Sequence, residues 1–324
     1  MTVSLPPRTA DIKPEDLPEV KRFPFGTPVR ELVKALTVAG GVIVEGMHSP
    51  ELMKELEAEI RPLISNDSDW DGGFFPTETR RCSVLVGKSR IAAQVTLGDD
   101  LLWELSDAFL AEVNWYWYGD MKQWGKSSPQ LNTCIAFSVN PCKEDQPLHR
   151  DDHCHHNNLK EIDTYPEDLQ ERETLLGYFF AVKKTTKENG ATRFIPGSHL
   201  WGKDREPSDH LAYYAEMNPG DGFFMLGSCY HGGSKNTTKD EERLVVGVFT
   251  TKGYYRQEEN QYLGVPMEMA KSFPTKWQKR LGYAISEPWC GHVDSADPIL
   301  FLDPSLDDGN KDLFSKEALT PYRL

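Results

Sequence analysis

The sequence has no long apolar run. No stretch approaches the roughly 18 residues of a membrane-spanning helix. Residues 1–22 are polar and proline-rich, without the apolar core of a secretory signal. There is no Cys-x-x-Cys pair: Cys82, Cys134, Cys142, Cys154, Cys229 and Cys290 are scattered along the chain. Scattered thiols suit a reducing compartment better than a disulfide framework. There is no surplus of positive charge. Thirty-six Lys and Arg against 50 Asp and Glu give a net charge of −14, which argues against nucleic acid and anionic membranes as partners. No internal repeat or low-complexity tract is visible. These absences leave a soluble, cytoplasmic protein. Hydrophobic residues at 39% with 25 Gly and 22 Pro make it globular and rich in turns.

Along the chain, residues 1–25 read as an extended arm and 29–36 as a short amphipathic helix. Residues 40–46 read as an apolar strand bounded by glycines. Ser49-Pro50-Glu51 opens a second helix, with Leu52, Leu56, Ile60 and Leu63 at helical spacing. Residues 66–80 read as a mobile loop. Residues 101–118 return to helix, and Trp115 and Trp117 are read there as packing residues. From about residue 130, short β-type runs at 134–139, 175–182, 193–195, 223–226 and 244–251 alternate with Gly/Pro turns. That texture suggests a sandwich or jelly roll. Helical pattern resumes at 267–272 and 275–281. The expected organisation is an N-terminal arm, 1–27, and one domain, 28–324, with helical N- and C-terminal caps.

One run carries chemistry: Gln146-Pro147-Leu148-His149-Arg150-Asp151-Asp152, with His231-Gly232-Gly233 far downstream. Residues i and i+2 of a strand face one side, so His149 and Asp151 can reach one metal while Arg150 points away. His231 is the best-placed third ligand. Two imidazoles and one carboxylate on one face of a metal are the arrangement of non-haem Fe(II) oxygenases. His153, Cys154, His155 and His156 offer a rival, a surface zinc site or a polar loop. Zinc prefers paired ligands, and Cys154 has no partner at the right spacing. Arg243 lies twelve residues after His231, at the start of an apolar strand. Its planar fork suits a carboxylate, although a surface arginine at a strand end would look the same.

Four segments resemble the phytanoyl-CoA dioxygenase family of Fe(II)/2-oxoglutarate oxygenases. They are residues 40–46 with the helix that follows, Gln146 to Asp151, residues 188–199 (Glu-Asn-Gly-Ala-Thr-Arg-Phe-Ile-Pro-Gly-Ser-His), and Asn218-Pro219-Gly220-Asp221 leading to His231-Gly232-Gly233. The likeness spans roughly residues 28–285 and is nearest to fungal biosynthetic members. It implies a mainly β fold, a double-stranded β-helix (jelly roll, cupin-like) core with flanking helices. It implies His149, Asp151 and His231 as iron ligands. Arg243 would hold the distal carboxylate of 2-oxoglutarate, with Gln146 and Thr192 as further contacts. Phe74, Phe75, Arg81 and Cys82 would border the substrate pocket, and His199 would be a turn residue behind the site rather than a ligand.

The resemblance also implies the reaction. Fe(II), 2-oxoglutarate and O2 would oxidise a small hydrophobic secondary metabolite, a terpenoid, alkaloid or polyketide-derived scaffold, with release of succinate and CO2. Hydroxylation, desaturation, rearrangement and endoperoxidation stay open, whereas Asp151 argues against halogenation. Related fungal enzymes are often homodimers. Residues 152–173, rich in His, Asn and acids, would border the active site. Two other readings stand beside this one: a cupin-like metalloenzyme that does not use 2-oxoglutarate, and a non-catalytic binding protein of the same fold.

Overall fold

Short β-rich segments separated by turn residues become twelve strands in a computed structural model that describes residues 9–69, 71–307 and 309. The strands are β1 (Arg22–Pro24), β2 (Gly41–Glu45), β3 (Thr79–Cys82), β4 (Glu112–Tyr118), β5 (Met121–Ser127) and β6 (Gln130–Val139). They continue with β7 (Leu175–Ala181), β8 (Thr192–Phe194), β9 (Tyr213–Tyr214), β10 (Gly222–Leu226), β11 (His231–Gly233) and β12 (Arg243–Thr251). Seven form one sheet in the order β1-β2-β10-β7-β12-β6-β3, and three form a second in the order β11-β8-β9. This is the double-stranded β-helix core that the resemblance implied, mainly β with flanking helices.

The chain divides into two compact units, residues 1–82 with 135–247 and residues 83–134 with 248–324. In the first unit, β7 and β10 are buried along their whole length. They are covered on both faces, so they read as continuous apolar runs rather than alternating ones. One face of β7 carries Tyr178 and Phe180, and the Tyr178 ring stacks on Phe224 at 4.5 Å. The opposite face carries Phe179, next to Phe223, which in turn meets Phe194 of the three-stranded sheet at 4.9 Å. The interior between the two sheets is therefore aromatic.

Two helices of this unit follow from their sequences. Helix α1 (Val29–Ala39) buries Leu32, Ala35, Leu36 and Ala39. It ends at Gly40, whose φ of +77° is left-handed and favours glycine. A Cβ there would also lie 2.4 Å from Cys229 Sγ. Helix α2 (Pro50–Ser65) is capped by Ser49, whose hydroxyl accepts from Leu52 N at 3.1 Å. The second unit contains α3 (Arg90–Leu97), α4 (Asp100–Leu110) and the short C-terminal helices α5 (Gln261–Gly264), α6 (Met267–Lys271), α7 (Thr275–Leu281) and α8 (Ile299–Leu302). Among the described residues, no helix is long and apolar enough to cross a membrane.

Three expectations need correction. The helix expected over 101–118 stops at Leu110, and Glu112–Tyr118 pairs with β5 as a hairpin. Val113, Trp115 and Trp117 alternate with polar or amphipathic neighbours, and this period of two outweighs the helical reading. These side chains are not packing residues: Trp117 is 69% exposed and Val113 52%. The loop over 66–80 ends in β3, which pairs with β6 from Thr79 onward. The arm is not simply extended either. It has 3-10 turns at Thr9–Asp11 and Pro14–Asp16, and Arg22–Pro24 pairs in parallel with β2. Ile12 and Leu17 pack against Ile195, Trp201 and Leu211. Residues 1–8 of the arm lie outside the described residues.

His199 is fully buried, and its Nε2 lies 3.0 Å from Thr37 O. Burial lowers its pKa to about 4. A histidine whose folded pKa lies below its unfolded value contributes stability at neutral pH that is lost as pH falls from about 6.5 toward 4. We expect this residue to account for about 2 kcal/mol of the stability lost between pH 7 and pH 5. Denaturant melts of parent and His199→Gln at both pH values check this, and an equal acid loss in the two proteins would refute it.

Candidate active site

Two backbone hydrogen bonds join the chain at His149 and His231. His149 N donates to His231 O at 2.9 Å and His231 N to His149 O at 2.8 Å. This antiparallel bridge sets the two rings side by side, with centroids 4.5 Å apart. His231 opens β11, whose Gly233 is in register with Thr192 and whose His231 is in register with Phe194. Asp151 does not continue a strand. It opens a 3-10 turn, Asp151–His155, which swings its carboxylate back toward the two rings. His149 Nε2 lies 3.4 Å from Asp151 Oδ1, and His231 Nε2 lies 3.2 Å from Asp151 Oδ2.

The hydrogen-bond partners decide the tautomers. His149 Nδ1 lies 2.8 Å from Pro147 O and His231 Nδ1 lies 3.3 Å from Cys229 O. A carbonyl only accepts, so both Nδ1 atoms carry the proton and, in the neutral rings, both Nε2 atoms present lone pairs. Burial opposes the charged form of Asp151, and His231 and His149 hold its carboxyl far below the usual carboxylate range only when those rings are protonated and donate to it. Its Oδ2 is buried and accepts no hydrogen bond. Two lone pairs and an anionic oxygen therefore converge with no donor between them. A cation fits that centre, and all ligand atoms lie within 4.8 Å of one another. Among the described residues this is the one His/Cys/Asp/Glu group with such spacing. His153, Cys154, His155 and His156 do not form a second.

Arg243, at the start of β12, is buried and only 4% exposed. Its Nη2 donates to Thr192 Oγ1 at 2.7 Å, and its Nε has no acceptor. Among the described residues no carboxylate pairs with it. The adjacent Glu242 is committed to Arg61 at 2.6 Å and Lys183 at 2.9 Å. Burial lowers the Arg243 pKa to about 10, which still leaves the guanidinium charged at neutral pH. Gln146 lies on the same ladder. Its Oε1 accepts from Gly233 N at 2.9 Å, which leaves its amide nitrogen free to donate elsewhere. Thr192 and Gly233 sit two residues from Phe194 and His231 on their strands, a spacing of roughly 7 Å.

Aromatic rings surround the histidines. Phe74 meets the His149 ring edge-on at 4.8 Å and is 40% exposed. Phe75 packs against Phe74 at 4.8 Å and against Phe137 at 5.8 Å. Phe179 lies 6.1 Å from His231. Of the expected pocket-border residues, Arg81 is tied to Asp67 at 2.9 Å and lies over the Phe75 ring. Cys82 is buried and in register with Ala136.

Several buried polar groups behind the ligands were not singled out from the sequence. Glu173 accepts from Ser228 N at 3.2 Å and from Ser228 Oγ at 2.6 Å, which secures the turn before His231. Asp152 N donates to Gly227 O at 3.3 Å. Burial and the nearby Glu173 push the Asp152 carboxyl up to about 7. Arg193 donates to Gly233 O at 2.6 Å and to Gln146 O at 2.9 Å, bridging the two site strands. A Cβ on Gly232 would lie 2.9 Å from Gln146 O, so only glycine lets those backbones approach so closely.

Comparison with known proteins agrees with this geometry. Residues 36–245 match the phytanoyl-CoA dioxygenase (PhyH) family. Dioxygenase himG of Aspergillus japonicus is 39% identical over 292 residues, covering 87% of this chain and 89% of the relative. Dioxygenase peniF of Penicillium patulum is 39% identical over 274 residues, covering 84% and 88%. Among solved structures, the non-haem α-ketoglutarate-dependent epimerase SnoN from nogalamycin biosynthesis aligns with a TM-score of 0.51 at 18% identity, over 72% of this chain and 88% of that one. That last likeness speaks to the fold. The family match and the dioxygenase relatives settle the class: this chain is an oxidoreductase that belongs to the phytanoyl-CoA dioxygenase family.

Proposed function

We propose that this protein is an Fe(II)- and 2-oxoglutarate-dependent dioxygenase that oxidises a small hydrophobic metabolite, with release of succinate and CO2. The observation that carries the co-substrate half of this reading is Arg243. A buried cation without a protein counter-ion is costly. A dicarboxylate is a natural counter-ion, because one end can chelate a metal while the other reaches the guanidinium. The convergent, donor-free His149, Asp151 and His231 carry the metal half. Support from relatives is consistent: a SnoN complex contains Fe3+ and α-ketoglutarate, and the two fungal relatives are named dioxygenases.

On this reading each residue has a defined task. His149, Asp151 and His231 hold the metal on one face. When bound, iron with 2-oxoglutarate and O2 supplies the oxidising chemistry. Arg243, oriented by Thr192, receives the distal carboxylate of the co-substrate. The free amide nitrogen of Gln146 donates toward the same ligand. Phe74 and Phe179 keep water from the histidine rings and give the substrate side an aromatic wall, which suits an apolar scaffold. Among the described residues the six cysteines form no disulfide, in keeping with a reducing, cytoplasmic setting.

Purified protein should bind one Fe(II) per chain under anaerobic conditions, and His149→Ala should abolish that binding; metal analysis after gel filtration reads both, and stoichiometric iron in the variant would sink the assignment. Arg243→Leu should raise the 2-oxoglutarate concentration for half-maximal succinate formation more than tenfold, because a charge-assisted hydrogen bond is worth roughly 1.5–3 kcal/mol. An unchanged requirement would point to a metalloenzyme that does not use 2-oxoglutarate.

A further inference from the structure

The three proposed metal ligands lie on two separate pieces of chain, and each piece has one neighbouring side chain that the proposed reaction leaves unused. Arg150 stands between His149 and Asp151, and Tyr230 immediately precedes His231. The Arg150 guanidinium lies over the Tyr230 ring, with its carbon 4.1 Å from the ring centroid. Arg150 is 7% exposed, and its charge favours the ionised form of the neighbouring Asp152 carboxyl. Its Nη2 donates to Ser198 O at 2.9 Å and to Trp201 O at 3.0 Å.

Tyr230 is anchored to the same stretch of chain. Its N donates to Ser198 Oγ at 2.9 Å, its O accepts from Ile195 N at 2.9 Å, and its hydroxyl donates to Arg205 O at 3.1 Å. Arg150 and Tyr230 thus meet each other and both fasten to residues 195–205. A desolvated cation over an aromatic face is among the stronger contacts of this kind. Arginine suits it because a planar guanidinium stacks on a ring while its edge donates to carbonyls, which lysine cannot do at once.

We infer that Arg150 and Tyr230 form a positioning clip that holds the His149–Asp151 segment at the correct distance from His231. The bridge fixes the backbone at His149 and His231, and the bond from Asp152 N to Gly227 O at 3.3 Å ties the 3-10 turn on the far side of Asp151. The clip fastens Arg150, the residue between the two ligands of this segment, from behind. Neither residue is among the three proposed ligands. Residues that orient metal ligands from behind commonly change affinity tenfold to a hundredfold when replaced.

This inference rests on the proposed metal centre. The test titrates Co(II) into the metal-free full-length protein and follows affinity together with the visible d–d band, which reports coordination geometry. Arg150→Lys and Tyr230→Leu should each weaken Co(II) binding about tenfold and alter the band. Tyr230→Phe, which keeps the ring face, should bind within twofold of the parent with an unchanged band. The double variant Arg150→Lys/Tyr230→Leu should bind no more than about twofold weaker than either single variant, because both remove one contact. Thermal melts of the metal-free proteins identify any variant that fails to fold, and the remaining single variant then decides. Parent-like affinity and spectrum in a folded single variant would overturn the clip, as would losses that simply add. A parent that binds no Co(II) would overturn the metal centre and the clip together. Binding by the parent, with its loss in His149→Ala, upholds the centre and leaves the Arg150 and Tyr230 variants to decide the clip alone.

Discussion

Two backbone hydrogen bonds between His149 and His231 set the distance on which the rest of the centre depends. They are short-range and directional, and they act on the main chain, so the rings inherit their separation from the ladder rather than from their own contacts. The atoms brought together have no attraction for one another while the imidazoles are neutral. Both Nε2 atoms offer lone pairs and the carboxylate between them is ionised. The fold holds this repulsive trio with groups placed behind it: Glu173 on the Ser228 turn, Arg193 across Gln146 and Gly233, and carbonyl acceptors on both Nδ1 atoms. Polar groups that each find a partner are what allow such a site to persist in an interior.

The aromatic interior serves the same end. Alternation along β7 sends Tyr178 and Phe180 to one side and Phe179 to the other. Phe179 thereby approaches His231, and Phe223 and Phe194 close the space beyond it. A low-dielectric surround strengthens every interaction between charges inside it. The same residues that pack the two sheets also set the electrostatic environment of the site.

Much of this was legible in the sequence, for identifiable reasons. The His-x-Asp run, His231-Gly232-Gly233 and Arg243 stand in short contiguous motifs, and buried strands such as β7 and β12 announce themselves as apolar runs. The i, i+2 argument put His149 and Asp151 on one side, yet the side chains converge through a 3-10 turn rather than along a strand. Other features depend on partners that no local pattern reveals. Phe74 reaches His149 only once distant segments of the fold have come together, and Glu173 reaches Ser228 only once β7 has paired with β10. Arg150 looked like a residue facing away, as it does, but Tyr230 gives that outward face a partner. The misread hairpin over Glu112–Tyr118 has a different cause. Helix α4 runs straight into it, and its aromatic side chains are as compatible with a buried helix as with a strand until exposure is known.

The uncompensated charge of Arg243 reaches beyond recognition. In the unfolded chain that guanidinium is fully hydrated, whereas in the native state it is enclosed with a single hydroxyl for company. On the proposed reading, a dicarboxylate that occupies the site supplies the missing anion only to the native state, and mass action then favours that state by roughly 2.7 kcal/mol at a hundredfold excess over the dissociation constant. The lifetime of the protein in a cell would thus follow the supply of a central carbon metabolite. Nutrient status would set how much of the enzyme survives as well as how fast it works.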